Sequence, residues 1–305
     1  MNWSELIREV GRGTRGARDL DAATAEHLMA AILDRQVPDM ELGALLLSMR
    51  IKGESPQELA GFHAAMQART AQLDVPAGPR CVLLPSFNGA RKTANLMPLV
   101  ALLLAREGVP VLIFGRHDFD SRISPFALLD ALGLPAANSL QQAQTQLATQ
   151  RLAVLPLQAL NPGLDALMAL RPRLGVRNSG HSLAKLLDPN PGRCVRVVAV
   201  THPEYLDSMS ALLPTISLAS PSLLMRACEG EAFAHPRRRP HLVAFAGGQA
   251  QPLHDAQAPE EDVPLLPDIE PAANAAVVRR MADGELPVPR RVTEQVQALI
   301  KLAYS

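Results

Sequence analysis

One loop-like segment of this sequence carries the residue types from which an anion site is built. It reads Pro85-Ser86-Phe87-Asn88-Gly89-Ala90-Arg91-Lys92-Thr93-Ala94-Asn95. Asn88 and Gly89 suit a tight turn, Arg91 and Lys92 add two cations, and the helix expected to follow offers unpaired N–H groups at its positive end. A phosphate-type anion is chemically at home there, although a basic solvated loop reads the same way. With a single glycine the segment matches neither G-x-x-x-x-G-K-[ST] nor G-x-G-x-x-G. Further cations come in clusters: Arg116, His117 and Arg122; Arg171, Arg173, Arg177 and Lys185; Arg226, Arg237, Arg238 and Arg239. Arginine suits phosphate through its fork of donors, and several cations spaced along a groove are what a polyanion needs. Arg171, Arg173 and Lys185 read equally as solvated helix faces, and Arg237 to Arg239 as a turn between elements. Arg12, Arg15 and Arg18, separated by Gly11, Gly13 and Gly16, read first as a structural loop.

Other chemistry is weakly supported. Cys81, Cys194 and Cys228 are far apart, lack C-x-x-C or His spacing and lie in apolar segments, so buried thiols are expected rather than disulfides or metal ligands. His27 and His63 lie among the N-terminal helices, and no Ser/His/Asp or Cys/His arrangement can be argued for His117 or His181. No catalytic residue, metal or cofactor is therefore expected from the residues themselves.

Charge supports position rather than abundance as the criterion. The chain has 30 Lys+Arg and 30 Asp+Glu, but residues 1 to 80 hold 9 basic and 11 acidic residues, 81 to 241 hold 16 and 10, and 242 to 305 hold 5 and 9. A basic middle between acidic flanks points to a polyanion-binding face. Only Lys52, Lys92, Lys185 and Lys301 are lysine, a bias that GC-rich coding also produces. Aromatics are 3% of the chain, so base stacking contributes little and backbone contact with weak sequence discrimination is expected.

The elements that must position these residues follow from periodicity. Leu28, Met29, Ile32 and Leu33 mark one apolar helix face, and Leu42, Leu45, Leu46 and Met49 another. Ser55-Pro56-Gln57-Glu58 supplies a capping box for a helix to about Arg69, and Val75, Pro76, Gly78 and Pro79 close the segment. From Cys81 the pattern becomes α/β: strands at Cys81 to Leu84, Val109 to Phe114, Leu152 to Leu155, Val195 to Thr201 and Leu242 to Ala246 alternate with helices at Ala94 to Arg106, Pro125 to Leu132 and Pro203 to Leu213. Thr201 with Glu204 reads as a second capping box. Gln141 to Gln150 is expected as a surface helix, Gly247 to Pro267 as a loop, and Ala272 to Ala282 and Val292 to Leu302 as closing helices. The apolar run Leu96 to Ala105, free of charge and amide residues, is half of what a bilayer crossing needs, and Glu5, Arg8 and Glu9 interrupt any apolar signal core. A cytoplasmic protein without membrane partners is expected.

Three further segments carry a family resemblance: Leu47-Ser48-Met49-Arg50-Ile51-Lys52-Gly53-Glu54-Ser55, Leu174-Gly175-Val176-Arg177-Asn178 and the stretch ending in Leu187-Asp188-Pro189. They resemble anthranilate phosphoribosyltransferase and its nucleoside-phosphorylase-like relatives, the glycosyltransferase family 3 fold, over almost the whole chain. The resemblance implies a helical domain, residues 1–76 joined by helices from about 162–190, and an α/β domain with a mostly parallel sheet, residues 80–305. It also implies a homodimer formed through the helical domain; Leu45, Leu46 and Met49 need a second chain or the other domain to cover them.

The resemblance equally shows what has changed. The family's G-T-G-G-D loop, whose amides close on the diphosphate of phosphoribosyl pyrophosphate, reads Pro85, Ser86, Phe87, Asn88, Gly89, with phenylalanine expected in the diphosphate's space. Its N-x-S-T reads Asn95, Leu96, Met97, Pro98. Its magnesium-holding Asp-Glu pair falls near Glu229-Gly230-Glu231, where the carboxylates are no longer adjacent, while Arg177 matches the arginine that contacts anthranilate. The replacements, together with Arg177-Asn178-Ser179-Gly180-His181-Ser182-Leu183-Ala184-Lys185 and Arg237-Arg238-Arg239, resemble a divergent branch whose described member binds DNA and RNA with little sequence preference and lacks the transferase activity. The implied function is sequence-nonspecific nucleic-acid binding through phosphate contacts, without catalysis. The rivals are a transferase with altered substrate and a sensor of a small anion.

Overall fold

The computed structural model describes residues 1–13, 15–116, 122–238, 241–255 and 270–305. In chain order the helices are α1 (Trp3–Val10), α2 (Ala22–Leu33), α3 (Asp39–Lys52), α4 (Pro56–Gln67), α5 (Met97–Arg106), α6 (Pro125–Ala131), α7 (Leu140–Gln150), α8 (Leu157–Leu160), α9 (Pro162–Met168), α10 (Arg171–Leu174), α11 (Gly180–Leu183), α12 (Pro203–Ile216), α13 (Pro271–Ala282) and α14 (Arg290–Tyr304). The strands are β1 (Cys81–Ser86), β2 (Val111–Gly115), β3 (Leu152–Pro156), β4 (Cys194–Val200), β5 (Ser222–Arg226), β6 (Leu242–Ala246) and β7 (Gln249–His254). They form two compact units, Met1–Ala71 with Leu157–Pro189, and Gln72–Pro156 with Asn190–Ser305.

The first unit is helical. Asp21 caps α2 by accepting from the Thr24 amide, and Ser55 and Glu58 form a reciprocal capping box at the start of α4. Glu58 is fully buried and also accepts from the Leu20 amide at 3.0 Å and from Lys52 Nζ at 2.6 Å. Burial works against the charged Lys52, but its hydrogen bonds to Asp19 and Glu58 prevail and raise its pKa. Leu45, Leu46 and Met49 are buried within the chain itself, so they give no reason for a second copy. The exposed apolar residues of α3 are instead Met40, Leu47 and Ile51.

The second unit is a seven-stranded sheet in the order β3-β2-β1-β4-β5-β6-β7. The first five strands run parallel, and β6 and β7 are antiparallel additions. Val82, Leu84, Val111, Ile113, Val197, Ala199, Leu223 and Met225 share one core with Leu99, Val100 and Leu104 of α5 and Val292 and Leu299 of α14. Such continuous apolar runs are what a parallel sheet covered on both faces requires. Because β2 and β3 lie on one side of β1 and β4 and β5 on the other, the connections diverge between β1 and β4, the point in an open α/β sheet where ligands bind beyond the carboxyl ends.

Two strands depart from the sequence expectation. β5 has only Leu223, Leu224 and Met225 as an apolar run. β7 is a polar edge strand inside the stretch read as a loop, and it returns from β6 through Gly247 and Gly248, both at positive φ as a two-residue hairpin requires. The expected Thr201–Glu204 capping box is absent, since His202 precedes α12 and no side chain caps it. Residues 256–267 of the expected loop lie outside the described residues.

Candidate functional site

The loop after β1 lies at the switch point and is fixed from beneath by backbone. Ala90 and Ile123 exchange hydrogen bonds of 3.0 and 2.7 Å, and Arg122 donates from Nη1 to the Gly89 carbonyl at 3.3 Å. Gly89 has φ +66°, and a Cβ there would lie 2.9 Å from Arg122 Cβ, so only glycine fits this crossing without displacement. The Arg116 amide donates to the Ser86 carbonyl at 3.2 Å. Phe87 does not project into an anion space: it is buried edge-to-face on Phe114, with ring centroids 6.0 Å apart. The start of α5 is no anion site either, because Asn95 Oδ1 accepts from the Met97 amide and Leu96, Met97 and Pro98 are buried.

The loop's donors are already met by the chain's own carboxylates. Glu231, fully buried, accepts from Ser86 Oγ at 2.7 Å and from the Asn88 and Gly89 amides at 3.0 Å each. Glu229 accepts from the amides of Lys92 at 2.9 Å, Thr93 at 3.2 Å and Arg91 at 3.2 Å, and from Thr93 Oγ1 at 3.4 Å. A tight turn delivers both. Glu229 has φ +53° and Gly230 φ +93°, while Asn88 Nδ2 donates to the Gly230 carbonyl at 3.0 Å and closes the turn onto the loop. A carboxylate buried without donors is costly, and ionised acceptors make the stronger hydrogen bonds, so these contacts hold loop and turn together.

Around this core the α/β unit gathers many of the expected cations. Arg91 and Lys92 are exposed at the loop, and Arg116, Arg122, Arg226, Arg237 and Arg238 are half-buried. Cys228 Sγ is 3.6 Å from Thr93 Oγ1, and burial pushes its pKa up to about 12, so it is a thiol and no nucleophile. Burial, then the charges of Arg238 and Arg237, lower the pKa of His235, with Glu229 opposing. Glu229, which accepts from the Arg91 and Lys92 amides, and the charges of Arg237 and Arg238 thus act on the same His235. Arg239 and His117 lie outside the described residues.

Arg171, Arg173, Arg177 and Lys185 belong to the helical unit. Arg173 is exposed and pairs with Asp39 at 3.2 Å. Asn178 is buried and serves the backbone, donating to the Leu167 carbonyl and accepting from the Gly180 amide, while Ser179 Oγ donates to Glu54 Oε1 at 2.5 Å. His181 is driven to a pKa of about 3, first by burial and then by Arg177, and so carries no charge near neutral pH. Among the described residues no group of three His, Cys, Asp or Glu is placed to hold a metal, and no helix is long and apolar enough to cross a membrane.

The diphosphate and magnesium of the family's transferase do not fit this arrangement. A diphosphate needs the amides that Glu229 and Glu231 engage, and Mg²⁺ needs oxygen ligands in near-octahedral geometry from carboxylates that here point at N–H groups. Sequence reasoning found the loop and the loss of adjacent carboxylates. It missed that Glu229 and Glu231 fill the loop, for which the alternation of two acids about a glycine opposite a turn-forming Asn-Gly was the available signal.

The helical bundle domain of the glycosyl transferase family matches residues 4–70. The chain is 38% identical over 300 residues to the uncharacterized protein YbiB of Escherichia coli (strain K12), covering 97% of this chain and 92% of that one. It is 28% identical over 297 residues to an anthranilate phosphoribosyltransferase of Halobacterium salinarum (strain ATCC 29341 / DSM 671 / R1), covering 94% and 84%. The crystal structure of anthranilate phosphoribosyltransferase from Thermus thermophilus superimposes with a TM-score of 0.76 at 24% identity, over 99% of this chain and 88% of that one. The chain belongs to the anthranilate phosphoribosyltransferase-like proteins of the glycosyl transferase family 3 fold.

Proposed function

We propose that this protein is a cytoplasmic, homodimeric, sequence-nonspecific nucleic-acid-binding protein built on a phosphoribosyltransferase fold, and that it does not catalyse phosphoribosyl transfer. The observation that carries this reading is the loop after β1: its amides are bonded to Glu229 and Glu231, while Arg91 and Lys92 remain exposed. A small diphosphate needs the amides, whereas a polymer backbone needs spaced side-chain cations. Arg116, Arg122, Arg226, Arg237 and Arg238 extend the positive surface within the same unit, and Arg171, Arg177 and Lys185 are further phosphate contacts from the helical unit. Dimerisation rests on Met40, Leu47 and Ile51, apolar and exposed along α3 at helical spacing. Light scattering of wild type against Leu47→Glu checks it: a wild-type monomer at micromolar concentration rejects the dimer.

The test of function is fluorescence anisotropy with single- and double-stranded DNA and RNA of unrelated sequences, run beside an assay of phosphoribosyl transfer to anthranilate with magnesium. Binding of similar strength to unrelated sequences, without turnover, is expected. Turnover that disappears in Arg177→Ala, without nucleic-acid binding, favours the transferase instead.

A further inference from the structure

We propose that Glu229 and Glu231 are specificity-determining residues: a built-in anion that engages the loop donors and shuts out free phosphate and diphosphate, leaving only side-chain cations for an external polyanion. The final clause rests on the nucleic-acid reading; the rest stands without it. Between them the two carboxylates accept from five amides of the loop, those of Asn88, Gly89, Arg91, Lys92 and Thr93, and from the hydroxyls of Ser86 and Thr93. Converging amides and hydroxyls are the donor set that receives a phosphate, and here each has an acceptor supplied by the Cys228–Glu231 turn.

The turn is built for that delivery. A non-glycine residue at φ +53° is held in a sparsely populated conformation, and Gly230 packs so closely that a Cβ would lie 2.4 Å from Asn88 Nδ2. Glu231 is fully buried and holds the inner half of the loop, while Glu229 is half-buried and holds the outer half beside Arg91 and Lys92. Glu229 is thus the position at which removal of a carboxylate exposes donors to solvent.

The experiment is calorimetric titration of inorganic pyrophosphate into the full-length wild type, Glu229→Gln and Glu229→Ala at low salt without divalent metal. Wild type is expected to bind weakly, Glu229→Ala at least about 10-fold more tightly because its freed amides accept an external anion, and Glu229→Gln in between. Equal affinity of wild type and a folded Glu229→Ala overturns the proposal. Should Glu229→Ala fail to fold, hydrogen exchange on wild type decides: the Arg91, Lys92 and Thr93 amides are expected to be protected, and exchange at the rate of free loop amides overturns the proposal. An oligonucleotide titration in parallel separates the two readings. Pyrophosphate gain without any oligonucleotide binding by wild type leaves the built-in anion standing and removes the nucleic-acid function; the converse does the reverse.

Discussion

Among the described residues the helical unit and the α/β unit each bury one glutamate completely, Glu58 and Glu231, and the two are partnered differently. Glu58 accepts from two amides and from Lys52, whose ammonium also reaches Asp19 at 2.6 Å, so its charge is balanced by a neighbouring cation. Glu231 accepts from a hydroxyl and two amides, and among the described residues no cation lies within ion-pair distance of it. Glu58 therefore reads as a pin that joins the start of α4 to the end of α3 and the chain before α2. Glu231 stands where the fold's topology places a ligand, and it meets the loop as a bound anion would. Burial alone does not distinguish a structural carboxylate from one that replaces a ligand; the partners and their place in the sheet do.

The largest expected effect comes from removing either glutamate. Glu58→Ala takes one of two carboxylates from Lys52, which keeps Asp19, and strands the Leu20 and Ser55 amides, while Glu231→Ala strands three donors, each stranded group costing about 1–3 kcal/mol before relaxation. Thermal and denaturant unfolding measure these losses. Phosphate sharpens the comparison: adding it should raise the melting temperature of Glu229→Ala, whose freed amides face solvent, because an anion that binds only the folded state stabilises it, and leave that of Glu58→Ala unchanged. Equal responses of the two variants remove the distinction between pin and built-in anion.

A smaller effect concerns pH. His181 is held neutral in the fold, with its pKa lowered from 6.5 to about 3 by burial and by Arg177. Between those values the unfolded chain binds a proton that the folded chain refuses, so stability should fall as pH drops from about 6.5 towards about 3. His181→Asn should flatten that part of the stability profile, measured by urea unfolding. An unchanged slope means that His181 is protonated in the folded protein.

Much of this was legible in the sequence because it depends on local patterns. The capping box at Ser55, the apolar faces of α2 and α3 and the core strands β1, β2, β3, β4 and β6 follow from spacing and composition. β7 was not legible, since a solvent-facing edge strand needs no apolar alternation, and only Gly247-Gly248 marks it. The Asn88–Lys92 loop was visible as a turn with cations, but its occupation by Glu229 and Glu231 is a contact across about 140 residues of chain, set by the crossover order of the sheet. The same order decides which arginines gather. Arg91 meets Glu229 through its amide and Arg238 acts on His235 beside the same turn, whereas Arg173 has its carboxylate in Asp39.

Smaller again is the effect expected from Arg173→Ala, whose exposed ion pair contributes about 0–1 kcal/mol to stability. It should change nucleic-acid affinity less than Arg91→Ala with Lys92→Ala, which removes two exposed cations at the loop. Anisotropy with one oligonucleotide at fixed salt ranks them, and equal losses mean that net charge rather than position governs binding.

Under the proposed function, exposed cations around a self-occupied loop hold a polyanion through its phosphates, so the salt dependence of binding is decisive. If about four to eight basic residues touch phosphates, the slope of log affinity against log salt for a single- or double-stranded oligonucleotide should be roughly −3 to −7, and about 2 units shallower in Arg91→Ala with Lys92→Ala. Replacing Arg8 and Arg35 should leave it unchanged. A flat wild-type slope, or one that falls equally in both double variants, contradicts the account.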